Sequence, residues 1–429
     1  MQDLFDFLLK RGILKDSTSN LKDFINSGKM ISGYLGTDPT ASSLHVGHLA
    51  ALMLLKNFQN FGHKPFMLVG GATGMIGDPS FKKAERQFLS EDVLLHNQEC
   101  IKKQLEKFLD FSPDLKNKAE IVNNMDWYKD IGIIDFLREA GKNITVNYME
   151  AKESVKKRIV DGISFTEFSY QLLQAYDFFY LNSKYDVELQ MGGADQWGNI
   201  TTGIELVRRK TGKTVHGLTI PLLTKADGTK FGKSEGNNVW LDPNLTSPYD
   251  FYQFWINSPD EDAKKLISVF TTIPSDEIAE LCALHEKNPE QRILQNTLAR
   301  ELTTLVHGED LYKKSKITSD ILFGNADLEY IKKLREEDFV RVCESLPMFE
   351  MSRERFETDK NAYSVIGENL CEKVFSSKGE LKRSIKENSV FVNKKKVDDM
   401  CGCDIDELLF EKYILVQRGS KKFYIIVVK

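Results

Sequence analysis

Residues 31–48 read ISGYLGTDPTASSLHVGH. Ile31 to Gly36 is a short apolar run, the pattern of a buried strand leaving a sheet. Thr37 to Ser43 supplies turn residues and N-cap candidates, and beyond it Leu49, Leu52 and Met53 recur at core-facing helical spacing. His45 and His48 stand three residues apart at the start of that helix and so share a face. Gly47 between them leaves the backbone open to something flat. A helix start with unpaired N–H groups and two imidazoles is a place to hold phosphate. Such a pair is also half of a metal site or a simple cap, but with no Cys or acidic ligand nearby it is a poor zinc signature.

Working outward, Lys64 to Val69 (KPFMLV) reads as a second strand and runs into Gly70-Gly-Ala-Thr-Gly-Met-Ile-Gly77. Strand, glycine-rich turn and helix in succession indicate a βαβ unit and a mainly parallel sheet. Gly71, Gly74 and Gly77 also resemble the cofactor loop of extended short-chain dehydrogenases. That rival is weakened because the loop follows the second strand and ends in Gly77-Asp-Pro79, and no well-placed Tyr-x-x-x-Lys pair follows.

Residues 80–160 are charged and helix-rich, an insertion between the halves of the sheet. Ser164 to Leu181 (SFTEFSYQLLQAYDFFYL) reads as a helix with Phe165, Phe168, Leu172 and Phe179 turned to the core and Tyr170, Gln174 and Asp177 in one stripe. A polar stripe normally faces water. This one is hemmed by aromatics, and a phenol, an amide and a carboxylate so aligned suit a small polar molecule in an apolar pocket. Val187 to Gln190 is the next strand. Asp195 and Gln196 follow just past its end, where open α/β sheets bind ligands, and Asp195 suits ribose hydroxyls or, more plainly, a helix N-cap. Leu218 to Leu223 is a last strand, feeding a lysine- and glycine-rich loop from Thr224 to Gly236. From Ser247 to Phe323 the pattern is helical, and from about Ser364 it turns to mixed α/β.

Composition suits a globular protein of two or three domains: 429 residues, 41% hydrophobic and 28% charged. A net charge of −5 excludes a uniformly basic coat for nucleic acid. It leaves room for a local patch, and Ser376 to Lys396 carries seven Lys or Arg against two Glu, anchored by Leu381, Ile385, Val390 and Val392. The six cysteines form no CxxC pair, Cys401-Gly-Cys403 lacks metal-binding company, and reduced thiols in the cytoplasm are the simplest account. The opening MQDLFDFLLKRGIL lacks the basic n-region of a signal peptide, and no apolar run reaches membrane-spanning length.

Together these stretches resemble the class I aminoacyl-tRNA synthetases, in particular their bacterial-type tyrosyl family. His45-Val-Gly-His48 is similar to the signature written HIGH, and Lys230-Phe-Gly-Lys-Ser234 to the one written KMSKS. Gly33-Tyr-Leu-Gly-x-Asp-Pro-Thr40 and Gly193-Ala-Asp-Gln196 add two further blocks in the expected order. The resemblance implies a Rossmann-like parallel-sheet catalytic domain (residues 1–225, with the helical insertion at about 80–160) and a mobile KFGKS loop (226–246). An all-α anticodon-side domain (247–325), a linker (326–360) and a small α+β S4-like RNA-binding domain (361–429) would follow. It further implies a cytoplasmic homodimer acting on L-tyrosine, ATP and tRNA(Tyr), with Mg2+ carried by the nucleotide and no protein-bound metal.

Carried over residue by residue, the resemblance gives Tyr34 and Asp177 the substrate phenol. Tyr170, Gln174 and Asp78 would take its ammonium, Gln190 the pocket wall and Gln196 its carboxylate. Asp195, with the backbone at Gly36 and Gly192, would bind the ribose, Gly47 the adenine, and Asp38 would stand on the ATP side. Thr40, His45 and His48 would meet the phosphates, and Lys230, Lys233 and Ser234 the departing pyrophosphate. Leu35 stands where some relatives carry a polar residue near the ribose. The tryptophanyl family is the nearest alternative; a non-catalytic RNA-binding paralogue and the dehydrogenase are more remote.

Overall fold

The computed structural model describes residues 3–78, 80, 89–224, 231–234, 237–323, 328–344, 346–398, 403–419 and 422–429. The chain divides into two compact units, residues 1–306 and 307–429.

The first unit is built on six strands: β1 (Asp16–Ser17), β2 (Ser32–Thr37), β3 (Lys64–Val69), β4 (Glu120–Asn123), β5 (Val187–Gly193) and β6 (His216–Ile220). In space they lie in the order β1-β6-β5-β2-β3-β4. β1 runs antiparallel to β6, and the other pairs are parallel. The chain leaves β2 toward β3 and β4 and later returns to the other side of β2 with β5. That reversal opens a crevice beyond the carboxyl ends of β2 and β5, where doubly wound sheets take ligands. The parallel strands are mainly apolar, with the charged Lys64, Glu120 and Glu188 confined to the first two positions of β3, β4 and β5, and β6 is buried along its whole length.

Helix Val46–Asn60 follows β2 and turns Leu49, Leu52 and Met53 inward, as their spacing indicates. Helix Phe165–Tyr185 starts at Ser164, whose hydroxyl accepts from the Glu167 N–H. It lies against helix Trp197–Thr211, where Gly203 permits the approach: a Cβ there would stand 3.1 Å from the Phe178 Cβ. Leu172 is buried and Phe168 and Phe179 pack beside it, but Phe165, expected in the core, is 79% exposed. Phe165 opens the helix ahead of the packed stretch, where periodicity carries no information about what lies opposite.

β4 falls inside the 80–160 stretch and is not legible there, being four half-buried residues without alternation. It extends the sheet beyond β3 and brings Asn123 to the Gly71 N–H and Asn124 to Asp177. At the opposite edge Asp16 and Ser17 pair with Thr219 and Leu218. Buried Arg11 donates to the carbonyls of Ser268 and Thr271 at 3.0 and 2.6 Å and to that of Ile273, clasping the C-terminal end of helix Asp260–Phe270.

β7 (Lys233–Ser234) and β8 (Asn237–Asn238) form a short antiparallel hairpin. Within the loop expected to be mobile over 226–246, Val239 and Leu241 bond to the backbone around the start of helix Val46–Asn60. Val239 is buried, its carbonyl accepts from the Val46 N–H at 2.9 Å, and the Leu241 N–H donates to Leu44 at 2.9 Å. The apolar Val239-Trp-Leu241 triplet supplies the anchor that the lysine-rich loop before it conceals.

In the second unit β9 (Met348–Met351), β10 (Val390–Val392), β11 (Lys395–Lys396), β12 (Tyr413–Arg418) and β13 (Lys422–Val428) lie in the order β11-β10-β12-β13-β9. The β13–β9 pair is parallel and the rest are antiparallel. β9, with helices Leu328–Lys332 and Glu336–Glu344, occupies the stretch expected as a linker; its first three residues are not buried, so no pattern marks it. Helix Lys378–Lys386 buries Leu381 and Ile385 in a core with Val390, Val392 and Ile414, while Lys382, Arg383 and Lys386 face outward. Among the described residues no helix is long and apolar enough to cross a membrane.

Candidate active site beyond the ends of β2 and β5

A cavity of about 340 Å3 occupies the crevice. Tyr34 and Gly36 reach it from β2, Gln190 and Gly192 from β5, and Tyr170, Gln174 and Asp177 from helix Phe165–Tyr185. The polar stripe of that helix thus faces a pocket instead of water. Leu35, Asp38, Thr40, His45, Gly47, His48, Asp78, Asp195 and Gln196 also line the cavity. Lys230 lies outside the described residues, as does Cys401, and Lys233 and Ser234 are placed by their backbone in β7.

At the closed end Tyr34 and Asp177 are 1% and 2% exposed. Asp177 Oδ1 accepts from the Trp127 indole N–H at 2.9 Å and Oδ2 from the Asn124 amide at 3.2 Å. Burial raises the Asp177 pKa to about 7, although the hydrogen bonds from Asn124 and Trp127 pull it back. Among the described residues the Tyr34 hydroxyl has no hydrogen-bond partner. Burial, then the charge of Asp177, hold its pKa well above the ordinary phenol value. A buried hydroxyl without a partner costs about 1–3 kcal/mol, which a ligand bonding to it would relieve.

From Asp177 a line of hydrogen bonds runs through Asn124, whose Nδ2 also donates to Thr73 Oγ1 at 2.9 Å. Thr73 donates to Asp38 Oδ1 at 2.8 Å, and the Tyr170 hydroxyl donates to Asp38 Oδ2 at 3.0 Å. Both Asp38 oxygens therefore serve side chains on the Tyr170 side of the cavity. Burial, then the charges of Asp38 and Asp78, push the Tyr170 pKa up. The glycine run after β3 makes room for this network. A Cβ at Gly70 would collide with Asp38 and Thr73, and one at Gly71 with Asn123. These glycines clear space for side chains and need no dinucleotide to explain them.

Near the end of β5, Gln196 Nε2 donates to Asp78 Oδ2 at 2.8 Å and to Asp195 Oδ2 at 3.3 Å. Asp195 lies in the short turn Ala194–Gln196 and caps no helix; the cap position before Trp197 is Gln196 itself. Buried Asn199 donates to Gln174 Oε1 at 3.0 Å and to Gln196 Oε1 at 3.2 Å.

The two imidazoles sit where the sequence puts them, but their surroundings differ. His45 is the N-cap of helix Val46–Asn60, its Nδ1 accepting from the Gly47 N–H at 3.0 Å, and His48 Nδ1 accepts from the His45 N–H at 3.2 Å. Each neutral ring therefore carries its proton on Nε2 and is a donor there. The expected unpaired N–H groups of the first turn are taken: Val46 donates to Val239, Gly47 to the His45 ring, and His48 to the His45 carbonyl. A Cβ at Gly47 would stand 2.7 Å from His45 Cε1, so glycine there admits the capping ring.

Thr73, Asn124, Trp127 and Asn199 were not nominated by the sequence. Asn124 and Trp127 follow β4, the strand that carries no readable pattern. Asn199 did have a signal, its i+3 spacing from Gln196 at the start of a helix.

Residues 26–324 match the family model described as tRNA synthetases class I (W and Y). The chain is 55% identical over 428 residues to the tyrosine–tRNA ligase of Amoebophilus asiaticus, covering 99% of this chain and 100% of that one. It is 51% identical to the tyrosine–tRNA ligase of Bacteroides thetaiotaomicron over 98% of both chains. Among solved structures, a C-terminally truncated mitochondrial tyrosyl-tRNA synthetase from Aspergillus nidulans superposes with a TM-score of 0.67 at 30% identity, covering 75% of this chain and 95% of that one. With its switch-point crevice, its imidazole-capped helix and relatives of this extent, the chain belongs to the class I aminoacyl-tRNA synthetases, in the tyrosine–tRNA ligase family.

Proposed function

We propose that the cavity is where L-tyrosine and ATP react to give tyrosyl-adenylate and pyrophosphate, before the tyrosyl group passes to the 3′-terminal adenosine of tRNA(Tyr). The observation that carries this reading is the partnerless Tyr34 hydroxyl beside Asp177 at the closed end of the pocket. A substrate phenol accepts from Tyr34 and donates to Asp177. Phenylalanine leaves the Tyr34 hydroxyl unpaired and brings no donor to Asp177, an effect for which tyrosine activation is itself the familiar instance.

Tyr170, Gln174 and Asp78 then hold the ammonium, Gln190 the ring, and Gln196 the carboxylate. Asp195 and the backbone of Gly36 and Gly192 hold the ribose, and Gly47 the adenine. The tyrosine carboxylate is already an anion, so its oxygen attacks the α-phosphorus without a general base, and the bond to the pyrophosphate oxygen breaks. The protein's task is orientation and stabilisation of charge growing on phosphoryl oxygens. The Nε2–H groups of His45 and His48 and the hydroxyl of Thr40 supply donors, and Lys230, Lys233 and Ser234 receive the leaving pyrophosphate. These donors would bind phosphate oxygens and not a cation, so Mg2+ would arrive held by the triphosphate itself.

The enzyme works as a homodimer in the cytoplasm. Helix Ile133–Glu139 buries none of its residues, and Ile133, Ile134, Leu137, Val146, Val160 and Phe165 are exposed, an apolar set suited to a second copy. Five cysteines among the described residues are free, which suits a reducing compartment. The outward Lys382, Arg383, Lys386, Lys395 and Lys396 of the second unit offer an S4-like surface to tRNA.

Amino-acid-dependent exchange of pyrophosphate into ATP tests the reading. Tyrosine alone should support it. Exchange with tryptophan in its place would move the chain to the tryptophanyl reading, and no exchange with any amino acid would overturn the assignment of the cavity.

A further inference from the structure

We infer that Asn199 is a positioning residue that sets the amide orientations of Gln174 and Gln196, and with them the polarity shown to the α-amino and α-carboxyl groups of the amino acid. The inference rests on the function proposed for the cavity. Asn199 is buried and does not line the cavity, so it acts through the two glutamines in front of it.

The orientation of an amide is fixed by what it faces. Asp78 and Asp195 are carboxylates, and carboxylates only accept. The end of Gln196 that lies 2.8 Å from Asp78 Oδ2 and 3.3 Å from Asp195 Oδ2 is therefore its N–H2. Gln196 Oε1 consequently turns away, toward Asn199 at 3.2 Å, and an oxygen there requires a donor. Asn199 presents Nδ2, which also gives a hydrogen to Gln174 Oε1 at 3.0 Å. The relay closes on Ser80, whose hydroxyl lies 3.4 Å from Asn199 Nδ2 and whose N–H donates to Asp78 Oδ1 at 3.0 Å.

The two carboxylates thus dictate the sense of three amides in series, with Asn199 as the hinge of the chain. The outcome suits a zwitterion. Gln196 turns its N–H2 end to the cavity side, where a substrate carboxylate can take over the hydrogen that the longer 3.3 Å bond gives to Asp195, and Gln174 is held by its oxygen, leaving that oxygen's second lone pair for an ammonium. An acceptor-only residue at 199 would reverse this. Both glutamines would have to turn their N–H2 ends toward it, and Gln196 would aim a carbonyl at two carboxylates.

Asn199→Asp, nearly isosteric, is the test. Pyrophosphate exchange and inhibition constants are measured on the full-length protein with tyrosine, with ATP, and with p-cresol, which carries the ring hydroxyl but neither charged group. The expected result is a rise in KM for tyrosine of about tenfold or more, with KM for ATP and the inhibition constant of p-cresol within about twofold of the unaltered protein. Asn199→Ala removes the donor without adding charge. Should the aspartate variant fail to fold, the alanine variant carries the test, with an expected tyrosine-only rise of about threefold to tenfold. A tyrosine KM within twofold in whichever variant folds would overturn the proposal. So would parallel losses for tyrosine, ATP and p-cresol, which a merely structural role would produce. If the unaltered protein shows no tyrosine-dependent exchange, the site reading falls and takes this inference with it. If its exchange is intact and the variant matches it, the role of Asn199 falls alone.

Discussion

Asp177 is a carboxylate taken out of water, and its titration runs against the usual trend for acids. Unfolded, an aspartate ionises near pH ~4; in the folded protein Asp177 does so at about 7. Between those values the folded state binds the extra proton. The contribution of Asp177 to stability is therefore fully present below pH ~4 and is lost as pH rises through about 7. Urea denaturation from pH 4 to 8 should show the stability difference shifting toward Asp177→Asn across that window and levelling above it. Function depends on the same group in a separable way. Asp177→Ala should reduce the preference for tyrosine over phenylalanine by at least about tenfold while KM for ATP moves little. Equal losses in both would argue that residue 177 supports the pocket without reading the ring.

At the scale of elements, the start of helix Val46–Asn60 ties local structure to chemistry. The same Nδ1 atoms that satisfy the helix's first amides leave the Nε2 protons as donors. Gly47→Ala would push on the His45 ring. Its expected signature is a fall in the exchange rate of about tenfold to a hundredfold with KM for tyrosine little changed, measured by steady-state pyrophosphate exchange. Elements defined by burial on both faces were legible: β3 occupies Lys64–Val69, the bounds of its apolar run, and helix Phe165–Tyr185 shows the stripe its spacing announces. β4 and β9 were not: β4 is half-buried throughout, and the alternating burial of β9 does not show in its residue types, since exposed Met348 is as apolar as Phe349 beside it. The capping of Val46 by Val239 was hidden for another reason, since it joins residues far apart in the chain. Motifs showed which residues meet at the cavity; which hydrogen bond each accepts depends on partners, such as Asn124 and Trp127, that no motif contains.

For the whole molecule, the exposed apolar set on the first unit makes the state of assembly testable. Val160 is 86% exposed, so Val160→Asp should leave the folded chain near its original stability while driving sedimentation velocity toward a monomer. A chain that sediments alike with and without the change would place the contact between copies elsewhere. The sheet holds a further consequence. Asp16 bonds Thr219, 203 residues onward, and Arg11 reaches Thr271, 260 residues onward. A ribosome releases residues 11–17 long before either partner exists, so this segment must wait for its place. Until β6 emerges, Asp16 and Ser17 are strand backbone without their ladder, and crowding by neighbouring nascent chains should harm this protein most during that wait.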